Sequence, residues 1–278
     1  MENQYFTWKK ISSHITRIEG IAKELMYLVE GNEKAVLIDT GVGVGNLKAL
    51  TEKLTDKPIS VLLSHGHVDH ALGAGLFQQV YMNPLDEPVF KENSKNCHRK
   101  AFFEESIDHW KIRIKKENYI AQLMTDFLPL ADGQIFSLGG ITVEVLAFPG
   151  HTPGSMAFLF PEERTVFFGD ACNSFTFVYD HNSLSISQYL ESLYHIQDKI
   201  KGRYDRVYTS HAGGEGEKDL LESAMIVAED ILKGNTDDMP FMFMGERAWI
   251  AKKVGKDKKR LDHGTANIVY SKENVKTS

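Results

Sequence analysis

The sequence predicts an α/β protein made of two similar halves. Two observations carry that expectation. Short β-rich runs are followed by segments of helical periodicity, and this order occurs twice along the chain. No Ser/Pro-rich linker or short-period repeat interrupts the sequence. The 278 residues are 42% hydrophobic and 25% charged, an ordinary globular composition able to bury a sizeable core.

In the first half, residues 23–29 (KELMYLV) and 35–39 (AVLID) read as strands joined by the turn Glu30-Gly31-Asn32-Glu33. Residues 46–54 read as a helix with Leu47, Leu50 and Leu54 on one face. Residues 59–63 (ISVLL) read as a buried strand running directly into Ser64-His65-Gly66-His67. A charged helical insert is expected at about 85–127, where Phe102, Phe103, Ile107, Trp110, Ile112 and Ile114 recur at helical spacings.

In the second half, strands are expected at 135–136, 141–148 (ITVEVLAF), 156–160 (MAFLF) and 165–168 (TVFF), with turns at Gly139-Gly140 and Pro161-Glu162-Glu163. A helix over about 187–200 places Leu190, Leu193, Tyr194 and Gln197 at i, i+3, i+4 and i+7. A short strand at 206–209 ends at Ser210-His211, and another helix follows at about 218–233. From Gly234 the pattern weakens, so residues 234–278 are expected to form a C-terminal extension of one domain spanning 1–278.

Several classes are set aside by composition. A net charge of −6 is the opposite of what a protein living on nucleic-acid phosphates shows, so no nucleic-acid partner is expected. No apolar run approaches the length of a membrane span and no signal-type stretch opens the chain, so no membrane partner is expected either. Cys97 and Cys172 are too few for a disulfide framework. The expectation is a soluble cytoplasmic protein.

The chemistry is carried by histidine placement. Ser64-His65-Gly66-His67-Val68-Asp69-His70 sets three imidazoles and a carboxylate in six positions, directly after a strand that can project them into one space. Neutral imidazole and carboxylate are ligands that borderline divalent metals take. His151, Asp170 and His211 each follow a predicted strand in the same manner. Together these residues supply seven potential ligands, enough for two metal ions.

The set HxHxDH (65–70), His151, Asp170 and His211, with Asp39 in Leu37-Ile38-Asp39-Thr40-Gly41, resembles the metallo-β-lactamase superfamily in motif order. The resemblance implies a four-layer αββα sandwich. It implies one metal on His65, His67 and His151, a second on Asp69, His70 and His211, and Asp170 as a bridge. Asp39 is implied to orient a ligand histidine without touching metal. Zinc is the metal expected, with iron or manganese as alternatives. The implied reaction is attack of a metal-bridging hydroxide on a small acyl substrate (thioester, lactone or ester), with Asp69 handling the proton.

True β-lactamases of that superfamily mostly carry a cysteine where Asp170 stands. The chain therefore looks more like the glyoxalase II, lactonase and thioesterase branches. A mononuclear iron persulfide dioxygenase is the alternative; a phosphodiesterase or nuclease, and a non-catalytic metal-binding protein, come after it. The short tail leaves little room for the helical C-terminal domain of glyoxalase II, which puts glutathione specificity in doubt.

Other features are read more plainly. Gly41-Val42-Gly43-Val44-Gly45 has GxGxG spacing, not the dinucleotide GxGxxG. Lys252, Lys253, Lys256, Lys258, Lys259 and Arg260 read as a solvated basic run. Phe241, Met242, Phe243, Met244 and Trp249 read as core or subunit interface, leaving a homodimer open. Phe175 and Tyr179, soon after Asp170, are candidate substrate-pocket residues, and Cys172 is read as a buried structural thiol.

Overall fold

Leu25 to Val29 are all buried, a state a strand reaches only when both of its faces are covered. The computed structural model that shows this describes residues 5–106, 114, 116–120, 124 and 126–276. The chain divides into two compact units, one comprising Met1–Val145 and Phe160–Glu162, the other Leu146–Leu159 and Glu163–Ser278.

The first unit holds a seven-stranded sheet in sequence order: β1 (Thr7–Lys10), β2 (Ile15–Glu19), β3 (Leu25–Glu30), β4 (Ala35–Ile38), β5 (Ile59–Leu62), β6 (Val80–Met82) and β7 (Leu128–Pro129). The first four strands form an antiparallel meander. From β4 onward the pairing is parallel. Parallel neighbours need crossovers. Between β4 and β5 the crossover is α1 (Leu47–Leu54), opened by Asn46, whose side-chain oxygen accepts the Ala49 N–H. A short helix α2 (Val68–Ala71) follows β5.

The expected insert is helical over α3 (Glu87–Asn93) and α4 (Asn96–Ser106), while its described residues after these include a one-turn 3-10 helix at Lys116–Asn118 and a bridge from Tyr119 to Val44. Ile107, Trp110 and Ile112 lie outside the described residues. A hairpin of β8 (Ile135–Ser137) with β9 (Thr142–Ala147) follows.

The second unit carries β10 (Met156–Phe160), β11 (Thr165–Phe167), β12 (Thr176–Val178), α5 (Ile186–Ile200), β13 (Arg206–Tyr208), β14 (Glu215–Gly216) and α6 (Leu220–Lys233). β11 and β13 pair in parallel, and β14 pairs antiparallel to β13. α5 begins with a capping box between Ser185 and Gln188, and α6 ends at Gly234 in the left-handed region at φ 76°. Both helices lay buried faces into one core with Phe148, Phe168, Val178 and Ile268. The α/β class expected from the sequence holds in each unit.

The weakly patterned tail, for which no strands were read from the sequence, supplies three: β15 (Met239–Phe243), β16 (Glu246–Ile250) and β17 (Ile268–Tyr270) join β12 in a four-stranded sheet of order β12-β17-β16-β15. β17 pairs parallel to β12, and β15 and β16 form a hairpin. The basic run is solvated as expected at Lys253, Lys256, Lys258 and Lys259, and anchored at its two ends. Lys252 pairs with Asp230 at 2.7 Å, and the Arg260 guanidinium, mostly buried, donates to the Ala266 carbonyl. Among the described residues no helix is long and apolar enough to cross a membrane.

Candidate active site

In the first unit, parallel pairing brings the chain out of β4 and β5 at the same end, with Ile38 opposite Leu62. Asp39 and Ser64 follow directly. The Asp39 N–H donates to the Leu62 carbonyl at 3.1 Å, and Asp39 sits in the left-handed region at φ 61°, an uncommon position for a residue with a Cβ. Its fully buried carboxylate accepts three hydrogen bonds. Oδ1 takes the Ser64 N–H at 2.7 Å; Oδ2 takes the Ser64 hydroxyl at 2.7 Å and His70 Nδ1–H at 2.9 Å.

These bonds fix the ring tautomers. The Ser64 hydroxyl gives its hydrogen to Asp39, so its oxygen accepts from His65 Nδ1 at 3.0 Å. With Nδ1 protonated in His65 and His70, the lone pair of each neutral ring is at Nε2, the atom that would bind a metal. The His65 ring lies 4.0 Å from that of His70 and 4.8 Å from that of His67. His70 Nε2 stands 3.6 Å from Asp69 Oδ2.

The loop is held from outside as well. Gly66 N–H donates to buried Asp86 Oδ2 at 2.7 Å, and a Cβ at Gly66 would stand 2.8 Å from the Asp86 carbonyl oxygen and from Phe90 N. Beneath the turn after Asp39, the buried Glu24 carboxyl accepts the Ala22 and Val42 N–H groups at 2.8 and 3.2 Å. Burial pushes this carboxyl up to about 7; the backbone donors oppose the shift and the charge of Asp69 adds to it.

The second unit repeats the device. β11 and β13 run parallel with Phe167 opposite Tyr208, and Asp170 and His211 lie just beyond their ends. His211 Nε2 is 3.1 Å from Asp170 Oδ2. The other Asp170 oxygen receives Asn173 Nδ2–H at 3.3 Å, and Asn173 in turn accepts the Phe175 N–H at 2.7 Å. His151 Nδ1–H donates to the Phe177 carbonyl at 2.6 Å, which again puts the lone pair at Nε2.

Phe175 and Tyr179 are half-buried and pack with Phe177 and Phe241 on one face of the β12-β17-β16-β15 sheet. Burial raises the Tyr179 hydroxyl above its ordinary range, helped by Glu246 and Asp180. Cys172 is buried with its thiol pushed up to about 12, mainly by burial, the behaviour of the structural thiol expected.

The donor set fits divalent ions. Two nitrogen or oxygen ligands of one tetrahedral ion, each about 2.0–2.1 Å from it, stand roughly 3.3 Å apart. The pairs Asp170–His211 and Asp69–His70, at 3.1 and 3.6 Å, bracket that separation. Within the first unit, ligand atoms of His65 and His67, and of His65 and His70, lie within 4.8 Å.

Sequence reasoning missed Ser64, Asn173 and the Phe177 carbonyl, which orient candidate ligands, and Asp86, which holds the loop that carries two of them. Ser64 alone carried a signal, its place between a strand and His65. The others act across 3 to 26 positions with no motif to mark them.

The chain belongs to the metallo-beta-lactamase superfamily, whose family model matches residues 23–211. Among individual proteins, it is 29% identical over 148 residues to an atrochrysone carboxyl ACP thioesterase of Aspergillus terreus, covering 52% of this chain and 37% of that one. It is 24% identical over 224 residues to the acyl-coenzyme A thioesterase MBLAC2 of Bos taurus, covering 72% and 76%. To the hydroxyacylglutathione hydrolase GloC of Haemophilus influenzae it is 30% identical over 147 residues, covering 51% and 64%. The match thus spans less than two fifths of the Aspergillus protein's length. A metallo-beta-lactamase from Pontibacter korlensis shares the fold at a TM-score of 0.58 and 19% identity, covering 81% of this chain and 99% of that one.

Proposed function

We propose that this protein is a metal-dependent hydrolase of thioesters. In this reading two divalent ions, zinc first among them, are held by His65, His67 and His151 and by Asp69, His70 and His211, with Asp170 as the shared ligand. The observation that carries the reading is the fixing of His65, His70 and His151 through Nδ1 by Ser64, Asp39 and the Phe177 carbonyl, which presents Nε2 of all three as ligand. The thioester class is supported by relatives named for ACP, coenzyme A and glutathione thioesters.

Bound ions of this kind acidify a water and polarise an acyl carbonyl. The chain's own residues do the rest. Asp69, half-buried beside His70, takes the proton of the attacking water. Asp39 holds the His70 ring, and Asn173 fixes one oxygen of Asp170, leaving the other toward His211. The reading places the protein in the cytoplasm, where both of its cysteines stay as thiols.

The test is metal content of the full chain purified without added metal, followed by a thioester panel. Close to two ions per chain with thioester turnover supports the reading. One iron per chain with oxygen uptake on a persulfide overturns it. Asp69→Asn should lower turnover by at least about a hundredfold with the circular dichroism spectrum unchanged; full activity would remove Asp69 from the proton step.

A further inference from the structure

The strand β12 lies between ligand chemistry and a surface that the hydrolytic reading does not use. The Phe177 carbonyl accepts from His151, and Phe175 is tied through Asn173 to Asp170. The Phe177 ring is the hub of an aromatic cluster: its centroid lies 5.5 Å from Tyr179, 5.4 Å from Phe241 and 5.7 Å from Phe243, and the last two stack on each other. The opposite face of the same sheet is filled along β12, β17 and β16, since Val178, Ile268 and Tyr270 belong to the core with α5 and α6 and Trp249 packs against it. On the aromatic face, Ala248, Ile250 and Val269 form a buried floor, and Phe175, Phe177, Tyr179, Phe241 and Phe243 stay half-buried above it. A contiguous set of half-exposed rings is rarely left without an occupant.

We infer that this face is the acyl-chain subsite of the enzyme, and that the substrate's acyl group is an extended apolar or aromatic one. The inference rests on the thioester reading above and adds the class of acyl group. The residue whose carbonyl orients His151 is also the one whose ring centres the cluster, so the aromatic face adjoins a proposed metal ligand through a single residue, and an acyl chain extending from that metal has apolar surface beside it. Five aromatic rings reward apolar carbon through burial and edge-to-face contact. A short hydroxylated acyl group would leave most of that surface in water and strip its hydroxyls of solvent where it touched the rings. Phe241 and Phe243 alternate on β15 with exposed Pro240 and Met242, so the hairpin turns its two phenylalanines to the same face.

Two measurements test this on the full chain. In the first, kcat/KM is measured for the zinc-loaded protein on pantetheine thioesters from acetyl to octanoyl. It is expected to rise about two- to fourfold per added methylene. In Phe241→Ser and Phe243→Ser the octanoyl-to-acetyl ratio is expected to fall at least tenfold. In the second, the metal-free protein is titrated with cis-parinaric acid, whose fluorescence reads occupancy without turnover. One saturable site per chain is expected, weakened at least tenfold in both variants.

A flat chain-length series in a turning-over enzyme overturns the inference, and so does probe binding unchanged in both variants. A wild-type dimer in sedimentation that Phe241→Ser dissolves also overturns it, because a second copy then covers the face. If no thioester is cleaved while the probe binds and the variants lose it, the hydrolytic reading fails and the apolar subsite stands. The chain-length series needs no variant, and a wild type without one saturable probe site also overturns the inference, so a misfolded substitution leaves the test intact.

Discussion

Asp39 and His70 share a hydrogen bond of 2.9 Å between two side chains that have no exposed surface. The same carboxylate takes both donors of Ser64, so one residue sets the tautomer of His70 directly and that of His65 through a hydroxyl. Asp39→Asn keeps the volume but loses one acceptor oxygen, leaving Ser64 or His70 without its partner. Metal affinity should fall about 10- to 100-fold, read by competition with a chromophoric chelator. An unchanged affinity would mean that Asp39 does not orient the ligands.

Gly66 is required by space. A methyl there would stand 2.8 Å from two backbone atoms, at Asp86 and Phe90, and neither can swing aside as a side-chain tip could. Gly66→Ala should cost about 1–3 kcal/mol of stability, seen as a lower Tm by calorimetry. A variant as stable as the wild type would show that the loop can yield.

Glu24 makes stability depend on pH with a definite sign. Its carboxyl titrates near 7 in the fold against an ordinary 4.5, so the folded chain keeps a proton that the unfolded chain releases between those values. Stability from this group is full below pH 4.5 and is lost as pH rises through 7. The loss is up to about 3.5 kcal/mol at about 1.4 kcal/mol per unit. Urea unfolding of the metal-free protein from pH 4 to 8 should show it. Glu24→Gln should flatten that part of the profile; an identical slope in the variant would assign the proton to another group.

Asp170 is the only carboxylate of the second unit among the proposed ligands, and its two oxygens face different partners, Asn173 and His211. Asp170→Ala should lower the number of ions retained per chain from two toward one after dialysis, measured by elemental analysis. Two ions retained would mean that the carboxylate is not shared.

Much of this candidate site is legible in the sequence because its proposed ligands come off strand ends. A strand such as residues 59–63 declares itself by apolar character broken only at Ser60, and polar residues immediately after it have nowhere to go but the loop at the sheet's edge. The helices α1 and α5 were equally visible through their apolar spacing. The tail was not. Met239 to Phe243 alternates between half-buried and exposed, but four of its five side chains are large and apolar and the fifth is proline, so no period of two can be seen in the letters. β12 has three residues and pairs with β17 some ninety positions away, a contact no local window contains. The orienting contacts of Asp86, Asn173 and the Phe177 carbonyl arise only from folding; any residue type supplies a backbone carbonyl.

Phe177 serves His151 with its main chain and the aromatic face with its side chain. Only the second depends on which amino acid is present. Substitutions at this position can therefore reshape the substrate surface while the histidine beside it keeps its anchor, so acyl preference is free to drift among descendants of this sequence with no change in the ligand it borders.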